Sequence, residues 1–423
     1  MFEKNTRTDR TDLGRITTLA LLMLLVLVFY FPLGCSVAAT GAATSSLQKE
    51  QAAESTGIVS AQFFGMVVKN PAVQPAVATG SRRLWDSGVS WAALEPAAGT
   101  FNWSTLDGEV AAAEQAGVQV TLTLGLTPTW ASAQPGILSS YGAGATAMPA
   151  NISDWDAYVS AVAARYRGRI SAYEVWNAPE DTIYWSGAPA QMGADLAALA
   201  AHTAAAVHAA DASATVVSPA LSPSGLTAFL AAGGGSSVDA IGTSLVASGQ
   251  APERMTAAVQ AIRAALAGTA ADGKPLWNDQ GSWVLPQGGL SPETQAAYVA
   301  RALILNAGYA VQRMHWYAWD ENRAGSLALT DAEAQPTSAA TAYSIVEGWV
   351  AGSQMNGCAA TAGGVWTCQI VRDGKTGWIV WSTTGSVSSS SLGAATLTDL
   401  HGNTTAVATD GSVGVSGSPV LLQ

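Results

Sequence analysis

The 423-residue sequence predicts an α/β chain, a (β/α)8 barrel followed by a small C-terminal antiparallel β domain. Three observations carry this reading. Between residues 57 and 345, eight short β-like runs alternate with Ala-rich amphipathic stretches, the chain order of such a barrel. After about Ser344 the helical period gives way to short Val/Thr/Ser/Gly runs divided by turn signals. Hydrophobic residues make up 49% of the chain and charged residues 12%, which supports a large core and rules out a disordered polyelectrolyte.

The elements follow in order. Residues 1–40 read as a leader: Lys4, Arg7, Arg10 and Arg15 precede an apolar stretch from Leu19 to Leu33, at the upper length of a signal core and short for a spanning helix. Small residues from Ser36 onward offer a cleavage site, Pro32-Leu-Gly-Cys35 offers a lipidation site at Cys35, and an uncleaved anchor is the third outcome. All three place the folded part outside the cytoplasm, with membrane attachment through the N-terminus in two of them. Residues 41–56 are small and polar, as in a linker.

Strands are expected at Ala61–Val67, Arg82–Trp85, Val118–Leu124, Ile170–Trp176, Thr215–Pro219, Val238–Leu245, Pro275–Asn278 and Met314–Trp319. Ser153 precedes a helix over Trp155–Tyr166, Pro252-Glu253 opens one to about Leu266, and Ser291-Pro292-Glu293 opens one to about Ala307. Residues 352–423 form the β domain, with turns at Arg372-Asp-Gly-Lys, His401-Gly-Asn and Asp410-Gly. Cys358 and Cys368, with Gly363-Gly364 between them, fit a disulfide across a hairpin; two reduced core cysteines are the alternative.

Composition also narrows function. Lys and Arg number 19 against 30 Asp and Glu, for a net charge of −11 without a basic stripe, so nucleic acid is not an expected partner. His202, His208, His315 and His401 have no metal-ligand spacing, and no phosphate loop or nucleophilic cysteine is present, so neither metal nor cofactor is expected. The 15 Trp residues outnumber Tyr (10) and Phe (7), which points to flat, ring-shaped ligands.

In a barrel the chemistry lies at the C-terminal strand ends, and here those ends are rich in Trp and polar residues. They are Arg83-Leu-Trp-Asp86, Thr127-Pro-Thr-Trp130, Tyr173-Glu-Val-Trp-Asn-Ala-Pro-Glu180, Lys274-Pro-Leu-Trp-Asn-Asp-Gln-Gly-Ser-Trp283 and His315-Trp-Tyr-Ala-Trp-Asp320. With Arg83–Gly88 reading R-L-W-D-S-G and Trp91–Pro96 reading W-x-x-L-E-P, the sequence resembles retaining glycoside hydrolases on (β/α)8 barrels. The nearest is family 39, the β-xylosidase and exopolysaccharide-hydrolase branch.

The resemblance implies a general acid/base at the Glu of W-N-E-P and a nucleophile at the Glu of P-x-W-x-T-E-x-G-W. Here Trp176-Asn-Ala-Pro179 puts Ala178 at the first position, and Pro275-Leu-Trp-Asn-Asp-Gln280 puts Gln280 at the second. In the sixth strand Gly242-Thr-Ser-Leu-Val246 replaces an H-x-Y element, with Ser244 in place of a ring. A retaining glycosidase needs two carboxyl groups about 5–5.5 Å apart, and neither Ala178 nor Gln280 supplies one. By the same resemblance Arg83, Trp85, Asp86, Asn177, Trp185, Trp316 and Trp319 line sugar subsites, joined by Trp130 and Gln280 at neighbouring tips. Alternatively, many of the Trp residues fill core, and Arg83 forms an ion pair with Asp86 or Glu174; Glu174 itself reads as a buried hydrogen-bonding group.

Substitute acids lie nearby. Glu180 and Asp181 follow Pro179 in a loop, Asp320 and Glu321 end the eighth strand, and strand alternation turns Asp279 away from Gln280. Three readings follow: a catalytically degenerate glycosidase that binds polysaccharide or oligosaccharide, an active hydrolase using Glu180 or Asp279, and a structural envelope or interaction protein.

Overall fold

The structure, a computed structural model, describes residues 57–423 apart from 288, 322–324, 383, 385 and 389–391. The leader, the linker and Cys35 therefore lie outside the described residues. The architecture is the one expected from the sequence, a parallel barrel followed by antiparallel sheet.

The barrel strands are β1 (Phe64–Val67), β2 (Ser81–Leu84), β3 (Gln119–Leu124), β4 (Ala172–Val175), β5 (Thr215–Val217), β6 (Ile241–Thr243), β7 (Leu276–Val284) and β8 (Val311–Trp316). They neighbour one another in the order β5, β4, β3, β2, β1, β8, β7, β6, and a parallel bridge from Val217 to Ala240 closes the ring. After the single turn α1 (Trp91–Leu94), the helices α2 (Ser104–Gln115), α3 (Ile152–Arg165), α4 (Pro189–Ala210), α5 (Pro223–Ala231), α6 (Arg254–Leu266), α7 (Pro292–Gly308) and α8 (Ser338–Val350) follow β2 to β8 in turn. Strands covered on both faces need apolar or paired residues throughout, and β1, β2 and β4 are buried at every position.

Helix starts are where the sequence is most readable. The Ser291 hydroxyl caps α7 by accepting from the Thr294 N–H, and Pro292 occupies the first turn, where no N–H is needed. Several boundaries shift: the eighth strand, expected at Met314–Trp319, is Val311–Trp316, the sixth, expected at Val238–Leu245, is Ile241–Thr243, and the fifth ends at Val217 rather than Pro219. Ala61–Phe63 is a 3-10 turn, so β1 starts at Phe64. The third barrel helix starts at Ile152, before Ser153. β7 runs on to Val284 because its outer half pairs with a short strand at Val246–Ser248. α8 continues to Val350.

The C-terminal strands are β9 (Gln354–Ala360), β10 (Trp366–Arg372), β11 (Lys375–Trp381), β12 (Ser386–Ser388), β13 (Thr396–Thr398), β14 (Thr404–Ala406), β15 (Ser412–Gly414) and β16 (Val420–Leu422). Six form one sheet, ordered β9, β10, β11, β16, β13, β14, while β12 pairs with β15. Cys358 and Cys368 stand directly opposite on β9 and β10 and are disulfide-bonded. The sheet docks on the last barrel helices: Arg372 donates to the carbonyls of Gly348 and Trp349 at the end of α8, and the Trp381 indole donates to Glu253 at 2.7 Å.

Candidate functional site

The C-terminal ends of β2, β3 and β4 converge on one buried network. Arg83 Nε donates to Glu174 Oε2 at 2.6 Å, and its Nη2 donates to Glu174 Oε1 at 3.0 Å and to Asn177 Oδ1 at 2.6 Å. Thr123 adds a hydroxyl donor to Glu174 at 2.5 Å. Three donors on two oxygens hold Glu174 as a carboxylate, although burial pushes its pKa above the ordinary value. Burial opposes the Arg83 charge, but Glu174, with smaller help from Asp279 and Asp86, raises the guanidinium pKa on balance. Of the two partners the sequence allowed Arg83, the structure selects Glu174.

Asn177 is presented by unusual backbone. Trp176 and Ala178, on either side of it, both have positive φ (67° and 36°), which disfavours residues with a Cβ. The turn is held by the Trp176 N–H on the Leu124 carbonyl and the Trp176 indole on the Tyr184 carbonyl. Its ring lies against Gly125, where an added Cβ would sit 3.2 Å from ring carbon. Ala178, at the implied acid/base position, carries no ionisable group.

On β7 the side chains alternate. Asn278 faces α7 and donates to Asn306, while Asp279 is fully buried with Oδ1 3.2 Å from His315 Nδ1. The hydrogen bonds assign the proton. The Ser81 hydroxyl donates its only hydrogen to the Gln62 carbonyl at 2.8 Å, so His315 Nε2–H must donate to Ser81 Oγ at 3.3 Å. With the imidazole neutral, His315 Nδ1 is an acceptor, and protonated Asp279 is the O–H donor to it. Burial pushes the Asp279 pKa to about 7 against the pull of Arg83 and Arg313, and holds His315 well below its ordinary value together with those two arginines. Room for this carboxyl comes from Gly242, where a Cβ would lie 2.6 Å from Asp279 Oδ2. Gln280, at the implied nucleophile position, is half-buried; its Oε1 has no partner among the described residues.

A second cluster was not legible in the sequence. Asp86, also at positive φ (61°), accepts hydroxyls from Tyr141 at 3.0 Å and Tyr317 at 2.6 Å. Burial pushes both tyrosine hydroxyls up, so both remain donors. Trp85 meets Tyr184 edge-on at 5.7 Å, and Trp85, Asp86, Thr123 and Tyr141 line a cavity of about 160 Å³. Tyr141 comes from a long irregular connection between β3 and α3, where no period marks it. Tyr317 lies in the eighth-strand motif between Trp316 and Trp319, and nothing in the pattern distinguishes its hydroxyl from the neighbouring rings.

The tryptophans lie deeper than subsites open to solvent. Trp85 and Trp185 are 3% exposed, Trp319 is 3% and Trp316 0%. Trp316 stacks on Trp283 at 5.9 Å, and Trp185 meets Trp176 edge-on at 5.2 Å. Trp130 is half-buried, with its indole on the Glu95 carbonyl at 2.9 Å. Indole N–H groups of Trp85, Trp185 and Trp316 have no acceptor among the described residues.

The substitute acids are engaged elsewhere. Glu180 accepts the Ser222 N–H at 2.5 Å and hydroxyl at 2.6 Å at the start of α5. Asp181 accepts from the Ile183 N–H, and Asp320 accepts the N–H groups of Lys69 and Asn70. Glu321 pairs with Lys69 at 3.5 Å. Ser244 is half-buried after β6. Among the described residues no cluster of His, Cys, Asp and Glu could hold a metal, and no helix is long and apolar enough to cross a membrane.

Comparison with known proteins agrees with this fold. The glycosyl hydrolase family 10 model matches residues 85–214. A family 39 glycoside hydrolase from the gut symbiont Bacteroides cellulosilyticus WH2 superposes with a TM-score of 0.67 at 16% identity, covering 86% of this chain and 82% of that one. A family 39 β-xylosidase from Caulobacter crescentus gives 0.60 at 16% identity over 88% and 98%, and the family 39 enzyme of Xanthomonas axonopodis pv. citri gives 0.57 at 18% over 87% and 95%. No curated protein matches the chain. At such identities the likeness is one of fold: the chain has the barrel fold seen in these glycoside hydrolases and resembles family 39 in that fold.

Proposed function

We propose that this chain is an extracytoplasmic, glycoside-hydrolase-like protein that binds polysaccharide or oligosaccharide at the C-terminal mouth of its barrel and has lost two-carboxylate hydrolysis. One observation carries the reading. The Arg83–Glu174–Asn177 network that would frame such a site is intact, while Ala178 and Gln280 stand at the positions the resemblance gives to the acid/base and the nucleophile. An amide can hydrogen-bond a sugar hydroxyl but is a poor nucleophile. Asn177 Nδ2, Arg83 Nη1 and Gln280 Oε1 are buried polar atoms without a protein partner among the described residues, which suits sugar hydroxyls or water as their partners. The Cys358–Cys368 disulfide supports export, since such bonds persist in oxidising compartments.

An active enzyme using relocated carboxylates has less support, because Glu180 is tied to Ser222 and Asp279 to His315. Calorimetry with β-linked oligosaccharides tests the proposal. Saturable binding without product release is expected, weakened about tenfold or more in Asn177→Ala, which removes a buried polar partner. Absence of saturable binding across the panel would leave the structural envelope reading, and product release by the native protein would favour relocated acids.

A further inference from the structure

The opposite end of the barrel holds a second cavity, of about 530 Å³. Its wall includes the first residues of β3, β7 and β8, so it opens at the N-terminal mouth, away from Asn177 and Gln280. Three cations line it: Arg263 on α6, Lys274 before β7 and Arg313 on β8. Among the described residues none of the three forms an ion pair. Neutral acceptors hold them instead. Arg263 Nη2 donates to the carbonyls of Tyr309 and Ala310 at 3.0 Å each, and Lys274 Nζ donates to those of Gly235 at 2.7 Å and Val238 at 2.5 Å. Arg313 donates to Gln119 Oε1 at 2.7 Å and lies 4.0 Å over the Trp277 ring.

Arg313 is only 8% exposed, and burial pulls its pKa down to about 10. The one carboxyl group whose charge, when ionised, opposes this shift, Asp279, lies deeper in the lumen and also acts on Arg83. A chain with net charge −11 has thus placed three cations without carboxylate partners around one cavity. Such cations attract an anion more strongly in a recess than at an open surface. A volume of this size accommodates a small molecule.

We infer that this cavity binds a small ligand bearing a carboxylate or phosphate, neutralised by Arg263, Lys274 and Arg313. The inference does not depend on the glycan reading of the other mouth. The test titrates the full chain with inorganic phosphate, with glucuronate and with neutral glucose, at ionic strength matched with chloride. Saturable heat with phosphate identifies a phosphoryl ligand, and with glucuronate a carboxylate ligand; glucose gives none. Arg263→Gln/Lys274→Gln, which keeps amide donors for the carbonyls, should weaken binding about tenfold or more. Ile58→Trp, at a rim position 73% exposed, should block entry even if the double variant fails to fold. Asn177→Ala should leave this affinity unchanged. Heat no greater than that of chloride with both anions, or an unchanged affinity in Ile58→Trp, would overturn the inference.

Discussion

Asp279 is the residue at which burial and charge compete most directly. Its pKa rises from 3.8 to about 7 on folding, so the folded state holds a proton that the unfolded state has released. The stabilisation is therefore full below pH 3.8 and is lost as pH rises to about 7. Urea melts from pH 4 to pH 8 should show stability falling across that window, and Asp279→Asn should flatten the fall. Glu180 gives a second prediction. Because it binds Ser222 at the start of α5, Glu180→Ala should cost on the order of 1 kcal/mol of stability and leave glycan affinity unchanged. Reading residues from sequence rests on motifs, which set the register at Ala178 and Gln280. It did not separate subsite rings from core rings: an indole at a strand tip has the same sequence signature in either place, and Trp316 is packed face to face on Trp283.

Whole elements were easier to read than their ends. The alternation of strand and helix is a long-range signal repeated eight times, and hydroxyl-plus-proline starts such as Ser291-Pro292 are local chemistry. Strand ends depend on which neighbour continues the ladder; β7 extends to Val284 only because Val246–Ser248 lies beside it. The contact of α7 with β9 yields a prediction of its own. A Cβ on Gly308 would lie 2.3 Å from Cys358 Sγ, so Gly308→Ala should destabilise the chain by about 1–3 kcal/mol in denaturant melts. Replacing both Cys358 and Cys368 by Ser should cost about 2–3 kcal/mol by releasing a short loop in the unfolded chain.

At the scale of the molecule, the β domain covers barrel helices rather than hanging from them. Arg372 occupies carbonyls at the end of α8, and Trp381 reaches Glu253 at the start of α6. Removing residues 352–423 should leave a barrel that aggregates, measurable by light scattering, since apolar helix faces would meet water. The barrel class was legible because it rests on many repeats of one pattern, whereas the β domain's docking rests on a few side chains that no pattern marks. Turnover tests most directly the proposal that Ala178 and Gln280 stand where two carboxylates would be needed. On a panel of β-linked polysaccharides, the native protein should release no product, while Ala178→Glu/Gln280→Glu should cleave at least about 10²-fold above it. Cleavage by the native protein with a bell-shaped pH profile would contradict the claim and make Glu180 the next residue to replace.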